Sequence, residues 1–340
     1  MTMITDNPTV PAERALLQDP AALRQAWAEL VTAHPHLHGP EAAARVGVPE
    51  AALLAARLGH GAVELQPDLP ALLAPCGQWG KLLLAARNRL GVALLIMDDA
   101  QVSPTTAGLQ LRTAQHVGEV AALGVHRCFF FEERDHHGHT FSLNWFDASG
   151  HVIGRLFLMS KSGQEIALPH LMAHALPQAT PFWTPGAAVA LPLLPSAMPQ
   201  GELLPLTGPQ TEHPSAPLAA DAQAIQTRAE AAVLHSADAP SMQLWFAGPG
   251  LAVRYQGPLA KVSRTAGAVH ASDAACKLHL RMAACVQMQQ LQRQEGGQAL
   301  VLSDGAGGVL VLQAGPGAAD SVAWLAQWHA SLNPTSAEAL

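Results

Sequence analysis

Two stretches of the chain share one pattern: LNWFDASGHVIG at Leu143–Gly154 and LVLSDGAGGVLV at Leu300–Val311. Each is an apolar approach, an Asp, two small residues, a Gly, one further residue and then aliphatics, so Asp147 and Gly150 answer to Asp304 and Gly307. An Asp side chain accepts from backbone N–H groups two residues on, and Gly accepts positive φ. Asp-x-x-Gly between apolar runs therefore reads as a hairpin turn. Its recurrence points to an internal duplication.

Working outward from the first copy, KLLLAAR (81–87), VALLIM (92–97), RCFFFEE (127–133), TFSLNWF (140–146) and VIGRLFLM (152–159) are short, apolar or alternating segments. Turn signals such as NRLG and DHHGH separate them, which predicts antiparallel strands. Around the second copy the same kind of segment returns in MQLWFA (242–247), LAVRYQG (251–257), LAKVS (259–263), CKLHLRM (276–282), ALVLS (299–303) and VLVLQ (309–313). Residues 12–60 carry helical spacing, with two short helices each opened by Pro-Glu. Further helices are predicted at Glu165–Ala175, Ala219–Leu234 and Ala318–Ser331.

Ten of the 26 prolines fall between Pro177 and Pro217, a density that rules out a helix or a central strand. The expected fold class is α+β, a tandem duplication of an antiparallel sheet unit with flanking helices. The first repeat is placed at 12–176, a Pro-rich linker at 177–218 and the second repeat at 219–333, shortened by the loss of most leading helices.

With 49% hydrophobic residues, only 13% charged and a net charge of −7, the composition offers a sizeable core and no basic stripe for nucleic acid. No apolar run approaches the roughly 18 residues of a membrane span. The N-terminus has no basic flank followed by an apolar core, so a soluble cytoplasmic protein is expected. The four cysteines lack CxxC spacing and are expected as buried thiols. No P-loop, GxSxG or complete GxGxxG is present, so no nucleotide cofactor is expected.

Chemistry is sparse. EERDHHGHT (132–140) gathers His136, His137 and His139 with carboxylates, the ligand types of zinc or another divalent metal, although at a hairpin tip it reads first as a solvated turn. His34, His36 and His38 alternate in what reads as an interhelix loop. Arg87-Asn88-Arg89 interrupts two apolar strands and is read as a turn. In CKLHLRM, alternation sets Leu278 and Leu280 on one face and Lys277, His279 and Arg281 on the other.

At these residues the sequence resembles the haemin-degrading, haem-utilisation family of the HemS/ChuS type, with its tandem ChuX-like domains. The likeness rests on Pro40–Leu58, on AARNRLGVAL (85–94), on AGLQL (107–111) followed by HRCFFFEE (126–133) and FSLNWFDASGHVIGRLFL (141–158), and on KLHLR (277–281) with LVLSDGAGGVLVL (300–312). It covers most of 40–175 and 241–330. Such a resemblance implies a cytoplasmic bacterial protein that accepts haem from an importer and stores it, passes it on, for example to a haem oxygenase, or opens the ring. It also implies haem held between the repeats by a histidine on the helix opening the second half and an arginine of the first sheet.

Carried over residue by residue, the helix histidine falls on His235. The family's Leu-Arg-Leu falls on Gly118-Glu119-Val120, with Arg112 seven residues early. The His-Glu after Arg-Asn becomes Ala93-Leu94, and the closing Gly-Lys-Arg becomes Gly315-Pro316-Gly317. Arg87, Lys277, His279 and Arg293 remain as polar or basic candidates, Arg293 where the family has a lysine able to face a propionate. Three readings stay open: a haem-binding or haem-trafficking protein with or without haem-degrading activity, a non-catalytic relative that has lost haem ligation and acts as an interaction or regulatory module, and a divalent-metal protein centred on the histidine-rich turn. A homodimer is compatible with each.

Overall fold

The computed structural model describes residues 19–35, 37, 39–106, 108–135, 138–183, 201–205, 222–236, 241–265, 267–293 and 298–315. Its helices are α1 (Pro20–Ala33), α2 (Gly39–Val46), α3 (Glu50–Ala55), α4 (Leu69–Leu73), α5 (Lys161–Ala173) and α6 (Ala222–His235). The first strands are β1 (Ala62–Leu65), β2 (Leu82–Asn88), β3 (Gly91–Met97), β4 (Gln101–Pro104), β5 (Leu109–Arg112), β6 (His116–Val120), β7 (Arg127–Asp135), β8 (Gly138–Phe146) and β9 (Val152–Leu158). The rest are β10 (Gly201–Pro205), β11 (Met242–Gly248), β12 (Leu251–Gly257), β13 (Lys261–Thr265), β14 (Ala268–Ser272), β15 (Cys276–Leu280), β16 (Gln287–Arg293), β17 (Gln298–Ser303) and β18 (Val309–Ala314). The fold is α+β with antiparallel pairing, as the alternation predicts. The closing helix expected at 318–331 lies outside the described residues, as do His36, His38, His136 and His137.

Contacts divide the chain into two units, Met1–Trp79 with Ala122–Ala190, and Gly80–Ala121 with Leu191–Leu340. In the first unit β1, β7, β8 and β9 lie side by side in that order. Local chemistry starts its helices: the Asp19 carboxylate accepts from the N–H groups of Ala21 and Ala22 at 3.0 Å ahead of Pro20, and Ser160 Oγ accepts from Gly163 N at 3.1 Å. Trp27 of α1, Leu53 and Leu54 of α3, Phe129 and Phe131 of β7 and Trp183 are buried together. Arg127 places its Nε and Nη2 2.5 Å from the two Glu64 oxygens and also donates to the carbonyls of Thr180 and Phe182 at 2.9 Å. This bidentate pair pins the segment after α5 against β1 and β7.

The second unit holds two five-strand arrays with one topology. Array I is β2-β3-β15-β14-β13 and array II is β11-β12-β6-β5-β4. Each takes a hairpin from one half of the sequence and three strands from the other. The repeats therefore interleave, and neither array forms from one half alone. Array II continues through β18, β17 and β16 to β10. β10 lies inside the Pro-rich stretch and is an edge strand ending at Pro205, a position where a missing ladder donor is tolerated.

The inner faces of the arrays meet closely: a Cβ on Gly118 of β6 would lie 2.5 Å from Leu84 Cδ2 of β2. The repeated turn is now explained. Asp147 Oδ1 accepts from Ser149 N at 2.9 Å and His151 N at 3.0 Å, with Gly150 at φ 84°. Asp304 Oδ1 accepts from Ala306 N and Gly308 N, both at 2.8 Å, with Gly307 at φ 93°. The other Asp304 oxygen accepts from Arg89 N at 3.0 Å in the β2–β3 turn, and Asn88 Nδ2 donates to the Ala247 carbonyl at 2.8 Å. In the second copy the turn residue thus also ties the two arrays together.

Candidate functional site

Pairing register places side chains in rows, because directly opposed residues of neighbouring strands share a face. Across array I one row runs Arg87, Val92, His279, His270, Ser263. The next row, two residues along, runs Ala85, Leu94, Lys277, Ser272, Lys261. Both rows lie on the outward face, since Leu84, Leu95 and Leu278 of the alternate positions are buried. His279, Lys277 and Lys261 are exposed, while Arg87, His270, Val92 and Leu94 are half-buried.

The centre of the face is a pair of imidazoles. His270 Nδ1 and His279 Nδ1 are 2.6 Å apart, and Thr265 Oγ1 lies 2.9 Å from His270 Nε2. The ring centroids are 4.8 Å apart at an interplanar angle of 73°. Three cations accompany them, on a floor of Val92 and Leu94. The arrangement combines a nitrogen ligand for a transition metal, partners for carboxylates, and apolar surface for a flat hydrophobic body.

Three sequence candidates, Arg87, Lys277 and His279, are therefore brought to one face. The others are not. Arg112 is in array II, its Nε and Nη2 donating to Gln110 Oε1 at 3.1 and 3.0 Å, and Gln110 Nε2 donates to Glu119 Oε1 at 2.9 Å. Arg293 ends β16 opposite Gly201. His235 ends α6, whose Glu230 pairs at 2.5 Å with Arg264, the β13 residue facing away from Ser263. Within the histidine-rich turn, His139 Nε2 is 2.7 Å from Glu132 Oε1. Among the described residues no three His, Cys, Asp or Glu side chains gather as metal ligands.

His270, Thr265 and Lys261 were missed from sequence. LAKVS and CKLHLRM are legible as strands, but β14 between them is a five-residue segment, AVHAS, bounded by polar residues. Its alternation was the available signal. The register that sets His270 opposite His279 is fixed by the buried alternate residues Val269, Ala271, Leu278 and Leu280 and by the β14–β15 turn, where Asp273 Oδ1 accepts from Ala275 N at 2.8 Å and Cys276 N at 2.6 Å.

A second polar cluster lies inside the unit. The Tyr255 hydroxyl donates to Asp273 Oδ2 and is 2.9 Å from the Pro258 carbonyl. The His116 ring stacks on Tyr255 at 5.4 Å, with Nε2 3.1 Å from the Ala275 carbonyl and Nδ1 3.0 Å from Thr113 Oγ1. Burial holds the His116 imidazolium below its usual pKa and pushes the Tyr255 phenol up. Each group is satisfied, so the cluster reads as an internal latch between β6, β12 and the β14–β15 turn. All four cysteines are buried thiols, and burial pushes Cys76 up to about 12.

Residues 47–172 match the family described as the haemin-degrading HemS.ChuX domain. The match runs from the residues before α3 through β9 and nearly all of α5. No curated protein matches the chain by sequence. Among solved structures the chain is similar to holo-PhuS, a heme-binding protein from Pseudomonas aeruginosa, at 19% identity and a TM-score of 0.70, covering 90% of this chain and 98% of that one. It is also similar to the heme-degrading enzyme ChuS from Escherichia coli O157:H7, at 14% identity and a TM-score of 0.72, covering 91% and 99%. At these identities the likeness shows the fold, a HemS/ChuS-type tandem. No described helix is long and apolar enough to cross a membrane.

Proposed function

We propose that this protein binds haem as a cargo on the outward face of array I, where His279 would supply an imidazole ligand to the iron and Lys277, Arg87 and Lys261 would pair with the propionates. The observation carrying this reading is the row Arg87, Val92, His279, His270, with Lys277 two residues from His279 on the same strand face. Imidazole is a strong iron ligand, cations pair with carboxylates, and half-buried Val92 and Leu94 suit the apolar macrocycle. Bound haem supplies a redox-active iron. The residues of the face bind and orient it.

The duplication supports the choice of array. The position where the family's Leu-Arg-Leu arginine falls is Glu119, and the equivalent position of array I, by register, is His279. In this row array II thus carries a buried carboxylate, Glu119, where array I carries the imidazoles of His279 and His270. Handling of haem in haem-iron utilisation, in the cytoplasm, with transfer from an importer or to a haem oxygenase, follows from the family likeness and belongs to this proposal.

A haemin titration followed at the Soret band tests the reading. One haem per chain with a saturable shift is expected for the wild type and for His235→Ala, and binding about 100-fold weaker is expected for His279→Ala. An unchanged titration of His279→Ala contradicts the assignment.

A further inference from the structure

We infer that His270 is the positioning residue of this face, holding His279 through a hydrogen-bond relay that ends on Thr265; the inference rests on the haem reading above. Its basis is the distance of 2.6 Å between the Nδ1 atoms of His270 and His279, and of 2.9 Å between His270 Nε2 and Thr265 Oγ1. An imidazole pair so close needs one donor and one acceptor. Two directions satisfy the chain. In one, His279 Nδ1–H donates to His270 Nδ1 and His270 Nε2–H donates to Thr265 Oγ1. In the other, the Thr265 hydroxyl donates to His270 Nε2 and His270 Nδ1–H donates to His279 Nδ1, which puts the hydrogen of neutral His279 on Nε2.

Only the first direction leaves His279 Nε2 with its lone pair for a metal. Ligation therefore selects that direction, and His270 becomes the acceptor for the ligand's remaining N–H. Such an outer partner fixes the ring's tautomer and orientation and raises the basicity of the ligating nitrogen. It strengthens binding to ferric iron and lowers the reduction potential.

Array II supplies independent support for a positioning role at this place in the fold. Gln110, the register equivalent of His270, donates to Glu119, the equivalent of His279, at 2.9 Å. In both arrays the strand-5 or strand-14 residue orients its neighbour on the next strand. The Thr265 contact has its own origin: Thr265 pairs with Ala268, two residues from His270 on the same face, the diagonal distance a hydroxyl can bridge to an imidazole.

The test uses the full chain loaded with haemin and compares His279→Ala, His270→Ala, His270→Gln and Thr265→Val, with the ferrous iron–histidine stretching frequency and midpoint potential as readouts. His270→Ala is expected to keep one haem per chain with affinity lowered about 10- to 100-fold, a lower stretching frequency and a raised potential. His270→Gln, whose amide oxygen accepts a hydrogen bond, is expected to recover part of each shift. Thr265→Val, which removes only the end of the relay, is expected to move them less and in the same direction. Stretching frequency and potential unchanged in His270→Ala overturn the relay while leaving haem binding standing. A Soret titration unchanged in His279→Ala overturns the underlying site as well.

Discussion

Arrays I and II share strand order, register and turn chemistry, and differ in what their outward rows carry. Array I presents Arg87, Val92, His279 and His270, and array II presents Ala247, Ala252, Glu119 and Gln110 at the same places. The neighbouring row carries cations in both arrays but at different places: Lys277 and Lys261 stand beside Leu94 and Ser272 in array I, and Arg254 and Arg112 stand beside Val117 and Gln101 in array II. Glu119, Ala247 and Ala252 are buried, whereas His279 and Lys277 are exposed. A duplicated sheet keeps its alternation and turns in both copies because the core requires them. The opposite rows are under different constraints, exposed at His279 and Lys277 in array I and covered at Glu119, Ala247 and Ala252 in array II, so the two copies can carry different side chains there.

The largest expected effect breaks the equivalence directly. His279→Ala should weaken haemin binding by about 100-fold, close to 2.8 kcal/mol, while Glu119→Ala should change it less than about twofold, both read from Soret titrations. Equal losses in the two variants would place the ligand elsewhere.

Next comes the paired turn. Asp304 accepts from Ala306, Gly308 and Arg89, whereas Asp147 accepts within its own hairpin, from Ser149 and His151. Asp304→Ala is therefore expected to cost about 1–3 kcal/mol in urea unfolding, more than Asp147→Ala, because it also orphans the Arg89 N–H between the arrays. Equal costs would mean that the tie from array to array contributes nothing.

The interior latch should separate fold from site. Tyr255→Phe removes the donor to Asp273 and is expected to lower stability by about 1–2 kcal/mol without altering haemin affinity. Coupled loss of both would assign the latch to the site.

The smallest effect concerns pH. His116 has a folded pKa below its unfolded value, so between those values the unfolded chain binds more protons. The stability contributed by the neutral imidazole is present above the unfolded value near 6.5 and is lost as pH falls through the folded value. Urea midpoints should fall on acidification through this window, and His116→Gln should flatten that part of the profile.

Much of the fold was legible because apolar alternation and Asp-x-x-Gly turns are local signals. α2 and α3 begin at the two Pro-Glu pairs, and β7, β8 and β9 fall on RCFFFEE, TFSLNWF and VIGRLFLM. The exchange of strands between repeats was not legible, since pairing of β3 with β15 and of β6 with β12 joins segments more than a hundred residues apart. The site was half legible. Alternation in CKLHLRM separates His279 and Lys277 from the core, yet only register adds Arg87 and His270 to their face. Register sets Arg112 on the corresponding face of array II, and His235 lies at the end of α6.

The central claim is that the haem-binding face is that of array I, and histidine-selective ¹⁵N NMR with gallium protoporphyrin, a diamagnetic analogue, tests it most directly. With 17 histidines in the chain, assignment by single substitutions is tractable. One equivalent of the porphyrin should shift the ring nitrogens of His279 and His270 and leave those of His116 and His235 in place. Shifts at His235 with His279 and His270 unmoved would contradict the account.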